Sequence, residues 1–325
     1  MLSLRLCDLG LSIEGTLLEP AIARLYEELE SRGLRFRPHC WLAQEWFSPD
    51  GIPGIAIPFY LAHRRLMRIE RHFMREVEGG NRNWLMRILR HEAGHALDSA
   101  YRLRRRGAWR AVFGPSSLPY PATYRPRPGS RRFVQHLGAW YAQAHPTEDF
   151  AETFAVWLKP RSTWRREYSG WPAFAKLEFI DALAAEIGPA KPVVSNRGTF
   201  EEVTHDTLTL RELYERRLAQ APAMRRSGAD ELLLKVFTAS PRRRAAPRAA
   251  SVLREMRVGL RRQVVRGGAF SEYLVYQVIR LMIARSEALG LYVRGSRREL
   301  RAHLPWAIGR LAESYEERQL PRVSL

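Results

Sequence analysis

The sequence predicts an α+β protein in two parts. A mostly helical N-terminal domain with a small sheet is expected over residues 1–190, and an all-helical C-terminal domain over residues 199–325. Three observations lead there. The chain has 325 residues, more than the roughly 250–300 at which a single core stops growing. Helical periodicity dominates and is interrupted by two extended apolar pieces, both early in the chain. A stretch rich in Pro and Gly, Gly188 to Gly198 (GPAKPVVSNRG), reads as a connection between the parts.

The elements follow in order. Ile13 to Arg32 is an amphipathic helix with Leu18, Ile22, Leu25 and Leu29 at helical spacing and Gly33 as its stop. Phe36 to Phe47 and Ile52 to Leu61 are extended; Pro53 and Pro58 confine the second to a sheet edge. His63 to Val77 is helical. After Gly79 and Gly80, Asn81 or Asn83 caps a helix running from about Trp84 to Arg104. Gly107 to Ser130 reads as a long irregular loop, in which Tyr120 and Tyr124 would form a lid or pocket wall. Helices are expected over Arg131 to Ala144, over Thr147 to Leu158 with Pro146 at its first turn, and over Pro172 to Ile187. Beyond the break, the helices are Leu208 to Ala219, Glu231 to Thr238, Ala249 to Leu289 split at Gly267 and Gly268, and Arg297 to Arg318. The Ala- and Arg-rich stretch Ser240 to Ala250 reads as a mobile loop.

Two cysteines, Cys7 and Cys40, exclude a disulfide scaffold and a four-cysteine zinc ribbon. Met1 to Gly15 lacks the apolar run of a secretory signal, and no stretch of about 18 apolar residues occurs, so a cytoplasmic, reducing location is expected with no membrane span. The net charge is +19, which favours anionic partners. The excess is spread over short runs such as Arg104 to Arg106 and Arg242 to Arg244.

One string carries chemistry: Leu89-Arg90-His91-Glu92-Ala93-Gly94-His95-Ala96-Leu97-Asp98. His91 and His95 are four apart, so on a helix they project from one face and can meet one ion. Imidazole nitrogens suit Zn2+. Glu92 follows the first ligand, where its carboxylate can act as general base on a metal-activated water. Gly94 is costly within a helix unless backbone or ligand passes close by. Leu85, Ile88, Leu89, Ala96 and Leu97 make the helix buried, and buried histidines and a buried glutamate need partners. A third ligand is expected from His145-Pro146-Thr147-Glu148-Asp149-Phe150-Ala151-Glu152-Thr153-Phe154. There Phe150, Phe154, Trp157 and Leu158 form one apolar face. Glu148, Ala151, Glu152 and Ala155 form the adjacent face, whose alanines allow another helix to come near. One of Glu148 and Glu152 would bind the metal, and the other would orient a ligand histidine. Asp98, three residues after His95, is a further candidate to bond a ligand ring. His136 and His145 are candidate substrate contacts. His39, His63, His72, His205 and His303 have no metal spacing.

HExxH followed by a downstream helical Glu is the gluzincin pattern, and HEAGHALD with E-D-F-A-E-T-F resembles the zinc-binding metallopeptidases of bacteria. More remotely, the chain is similar to the catalytic domain of anthrax lethal factor. The resemblance spans about Phe36 to Ile187 and implies a zincin-like fold, hydrolysis of a peptide or other amide bond, and a peptide or protein substrate. It implies Glu148 as the third zinc ligand and Glu152 as the support of a ligand histidine. It also implies an oxyanion-stabilising role for Tyr141, seven residues before Glu148. The cysteine-rich ribbon of some bacterial relatives is missing here, and the helical tail after Gly198 carries no recognised family motif.

Two other readings fit the sequence. The Arg-rich tail could bind nucleic acid, or a zincin fold could persist as a non-catalytic scaffold. The intact set of His91, His95 and Glu92 argues against the latter. Two histidines and a glutamate also accept cobalt or manganese.

Overall fold

In a computed structural model of the protein, the periodicity of the sequence becomes a mostly helical fold with three two-stranded sheets among the described residues. The structure describes residues 1–74, 77–121, 123–127, 129–138, 140–220, 228–240, 246–266, 270, 272–316 and 323–324. By their contacts the residues form two compact units. One is Met1–Ala122 with Arg131–Gln220, the other Thr123–Ser130 with Ala221–Leu325. No helix among the described residues is long and apolar enough to cross a membrane.

The first unit opens with α1 (Leu18–Ser31), whose Leu18, Ile22, Leu25 and Leu29 are all buried. Strands β1 (His39–Ala43) and β2 (Gly54–Pro58) pair in parallel, with Trp41 opposite Ala56. The second strand is an edge of this two-stranded sheet, as its prolines suggest, but a covered one. Every residue of β2 is buried, and Ala56 N–H donates to Phe47 O, so the segment after β1 returns along its other side. Pro53 precedes the ladder and Pro58 ends it, so neither removes a hydrogen bond from its middle.

Helix α2 (Arg64–Met74) is followed by α3 (Arg82–Tyr101), which carries the His-Glu motif. Asn81 caps α3, its Oδ1 accepting from Trp84 N–H at 3.0 Å. The helix ends at Arg102, whose left-handed backbone (φ 50°) turns its N–H back onto Asp98 O and Ser99 O. The segment expected to be loop begins with a helix, α4 (Gly107–Phe113). Its Trp109 and Phe113 rings pack against Phe150, with centroids 5.8 and 5.4 Å away. Then come α5 (Pro146–Leu158), α6 (Trp164–Glu167), α7 (Ala173–Ile187) and α8 (Leu210–Gln220).

Among its described residues, the helix expected over Arg131 to Ala144 does not form; only the short 3-10 turn Tyr141–Gln143 is helical there. The backbone donors of this segment are used elsewhere. His136 N–H and Leu137 N–H go to the Glu152 carboxylate, and Gln135 N–H goes to the Tyr168 hydroxyl. An N–H given to a distant side chain cannot also close a helical turn.

The unit boundary lies further along the chain than the Gly188–Gly198 break. Residues 199–220 are tied into the first unit: Trp41 Nε1 donates to Phe200 O, Leu6 N–H to Leu208 O, and the Tyr214 hydroxyl to the buried Glu70.

The second unit holds α9 (Gly228–Val236), α10 (Ala249–Arg266), α11 (Glu272–Ala288) and α12 (Arg297–Glu316) around Leu233, Leu253, Val275, Met282 and Leu304. It is not purely helical. Strand β3 (Thr123–Tyr124) pairs with β6 (Val323–Ser324), and β4 (Phe237–Thr238) with β5 (Tyr292–Val293), all antiparallel. Gly267 and Gly268, expected to split the long helix, lie outside the described residues, as do Pro241 to Ala245 of the expected loop. Ala249 and Ala250 open α10.

Helices α3 and α5 cross where both are small. A Cβ added at Gly94 would stand 2.9 Å from Ala151 Cα and 3.3 Å from a Phe154 ring carbon. The nearest obstacle is backbone, which cannot swing aside. Gly94→Ala is therefore expected to lose about 1–3 kcal/mol of stability through overpacking, although alanine raises helix propensity by about 1 kcal/mol. The denaturant midpoint of the variant measures the sign.

Candidate metal centre and its pocket

The approach of α3 to α5 sets the geometry of the site. Because Gly94 faces Ala151, the residues one helical step either side converge across the contact. His91 and His95 of α3 face Glu148 and Glu152 of α5. His91 Nε2 lies 3.1 Å from His95 Nε2 and 2.9 Å from Glu148 Oε2; His95 Nε2 lies 3.3 Å from that same oxygen. These three could hold a metal ion. Four tetrahedral bonds of about 2.0–2.1 Å place ligand atoms about 3.3–3.4 Å apart. The observed triangle is within a few tenths of an ångström of that, and two imidazoles with a carboxylate are a zinc-type donor set.

The other nitrogen of His91 is engaged from behind. Nδ1 is 3.0 Å from Glu152 Oε1, and the second oxygen of Glu152 accepts from Leu137 N–H (2.9 Å) and His136 N–H (3.2 Å). With a proton on Nδ1, the Nε2 lone pair faces the other two donors.

Electrostatics make this a tight cluster. Burial disfavours a proton on His91, yet Glu148 and Glu152 outweigh it and hold its pKa above the ordinary value. Burial also opposes charge on Glu148, and His95 and His91 more than offset it, keeping that carboxyl below the usual range. Burial pushes the Glu92 carboxyl up, against the pull of His91 and His95. Glu92 is 7% exposed, lines the same pocket as the three donors, and has no hydrogen-bond partner among the described residues.

The pocket has a volume of about 450 Å³. The segment after β1 supplies one wall through Trp46, Phe47 and Ser48. Trp46 Nε1 and Ser48 Oγ are buried there without a partner among the described residues, an unusual condition for buried polar atoms unless a ligand or water meets them. Tyr141 also lines the pocket, its ring 5.5 Å from that of His91.

Other expected residues stand differently. Asp98 is fully buried and does not bond a histidine ring; its oxygens accept from Arg104 N–H (2.8 Å) and Arg104 Nε (2.5 Å). His145 lines the pocket but serves as the cap of α5. Its Nδ1 accepts from Thr147 N–H while Nε2 lies 2.9 Å from Leu118 O. His136 is buried with Nε2 2.9 Å from Arg87 O, and burial drives its pKa down to about 4. Asp149 is buried too, facing Lys176 Nζ at 2.5 Å, which joins α5 to α7.

Sequence reasoning placed Tyr120 near a pocket but missed its bond. Its hydroxyl donates to Glu148 Oε1, lies 3.1 Å from Thr147 Oγ1, and its ring stacks on His145 at 4.3 Å. Arg104, in the pocket wall, was missed altogether. No spacing rule connects either residue to the motif.

Residues 67–183 match a family model described as "Putative zinc-binding metallo-peptidase". The matched segment runs from within α2 to within α7 and carries the whole cluster. The resemblance read from the two motifs is thus supported over that segment. No curated protein and no solved structure matches the chain.

The buried His136 ring gives a pH signature. Its folded pKa of about 4 lies below the ordinary 6.5, so the unfolded chain takes up the proton first. The neutral ring's contribution is complete above about pH 6.5 and is lost as pH falls towards 4, roughly 3 kcal/mol in all. His136→Gln, which can still donate to Arg87 O, should flatten this part of the stability profile. Denaturant unfolding of chelator-treated wild type and variant across that range measures it.

Proposed function

We propose that the protein is a zinc-dependent peptidase whose metal is held by His91, His95 and Glu148. The observation that carries the reading is the triangle of donor atoms at 2.9–3.3 Å beside a buried, unpartnered Glu92 in one open pocket. Zinc bound there would polarise a water and the scissile carbonyl.

Each residue then has a distinct task. Glu152 keeps the His91 ring turned so that Nε2 faces the metal. Glu92 takes a proton from the attacking water and passes it to the leaving amine. Burial raises its carboxyl, against the pull of His91 and His95, which favours its accepting a proton. Tyr141, which lines the pocket, would donate its hydroxyl to the oxyanion. The wall formed by Trp46, Phe47 and Ser48 would lie along the bound substrate. The fold of the catalytic unit is proposed to be zincin-like, in keeping with the resemblance of its motifs. Residues 199–220 belong by contact with that unit, and the helical second unit is proposed as a separate domain.

Two measurements test this. Metal analysis by mass spectrometry should find about one zinc per wild-type chain, and His95→Ala and Glu148→Gln should lose or weaken it. A zinc-free wild type would sink the reading and favour the basic, nucleic-acid-binding one. Full zinc in Glu148→Gln would move the third ligand to another acid. Glu92→Gln should keep its zinc while turnover of a peptide library falls roughly 100- to 10,000-fold; unchanged turnover would remove Glu92 from the mechanism.

A further inference from the structure

A second cavity, of about 250 Å³, adjoins the pocket of the candidate metal donors. Arg104 and Asp50 line both. That second cavity is walled by Arg102, Arg104 and Arg105, with Asp50, Asp98 and Ser99. Three arginines and two aspartates therefore line one cavity, and the two carboxylates are unlike each other. Asp98 is fully buried, with both oxygens taken by Arg104. Asp50 is 80% exposed and touches only Arg104 Nη1, at 2.8 Å.

Arg104 is consequently fixed from behind. Asp98 holds its Nε and its backbone N–H, and its side chain is only 23% exposed. Its Nη2 has no partner among the described residues. Arg102 and Arg105 are exposed and make no ion pair there. Arg102 adopts a left-handed backbone (φ 50°) at a helix end where glycine is the usual occupant. A cation held by a buried acid, with exposed guanidinium groups near the candidate metal donors, has the chemistry to receive a planar anion.

We infer that this cavity is a subsite for a carboxylate of the peptide substrate, from an acidic side chain or the chain's own C-terminus. The inference rests on the peptidase reading above. Asp50 occupies the place of that carboxylate in the free protein. An exposed ion pair of this kind is weak and exchangeable, so an incoming carboxylate can displace it and gain Arg102 and Arg105 as well.

The test uses the full-length, zinc-loaded chain and two libraries of internally quenched peptides, one blocked at its C-terminus and one with a free carboxylate. Peptides carrying Asp or Glu near the cleaved bond should show kcat/KM roughly tenfold above their Asn or Gln counterparts, the scale of one charge-assisted hydrogen bond. A preference confined to the free-carboxylate library would assign the site to the chain end instead. The acidic-to-neutral ratio should fall in Arg102→Ser/Arg105→Ser, two exposed positions, and rise in Asp50→Asn. Equal cleavage of acidic and neutral peptides in both libraries, or a preference that neither variant alters, overturns the inference. Binding separates this from failure of the peptidase reading. Rhodamine-labelled Glu- and Gln-containing peptides, with free and with amidated ends, are titrated into Glu92→Gln protein. Tighter binding of the Glu or free-acid peptides, lost in the double Arg variant, supports the subsite even if no peptide is cleaved. Equal binding of all of them overturns it.

Discussion

Everything at the site depends on how closely α3 can lie against α5. A side chain at position 94 or a larger one at 151 would push the helices apart, and the donor atoms ride on those helices. The contact converts two unremarkable local facts, a histidine pair on one helix and a glutamate pair on another, into one cluster with separations near 3 Å. Rigid elements hold such geometry better than loops do. Further bonds steady the frame: Arg90 makes a buried two-pronged pair with Glu28 of α1 (2.6 and 2.8 Å), and Asp149 meets Lys176 of α7.

Burying so many ionisable groups is expensive unless each is answered. Glu152 is answered by His91 and two backbone N–H groups, Glu148 by both histidines and Tyr120, and Asp98 by Arg104. Glu92 stands apart, since among the described residues its carboxylate accepts no hydrogen bond. A buried acid without a hydrogen bond in the lining of a pocket is structurally unfavourable, and that cost is intelligible when the group serves a reactant rather than the fold.

The two helices that carry the cluster were legible because their signals are local. Asn81 and Pro146 mark their starts, and apolar residues recur on one side of each. The pairing of Glu148 and Glu152 with the histidines followed from the small residues between them, although only family resemblance gave the two glutamates separate roles. Where partners lie far away in sequence, the reading failed. Residues 131–144 look helical by composition, yet their backbone donors answer Glu152 and Tyr168. Helix α4 is short and held by rings on Phe150, which no window of local sequence reveals. Asp98 was expected at a histidine; a bond to a residue six positions on, beyond the helix end, competes better.

Tyr120 joins a surface loop to the interior by one hydroxyl. The residue is 53% exposed while its oxygen rests on Oε1 of the buried Glu148 carboxylate. The residue is thus visible from both sides, to solvent reagents and to the cluster. Nitration or fluorination of that single ring would place a spectroscopic reporter directly on Glu148 without any label entering the core.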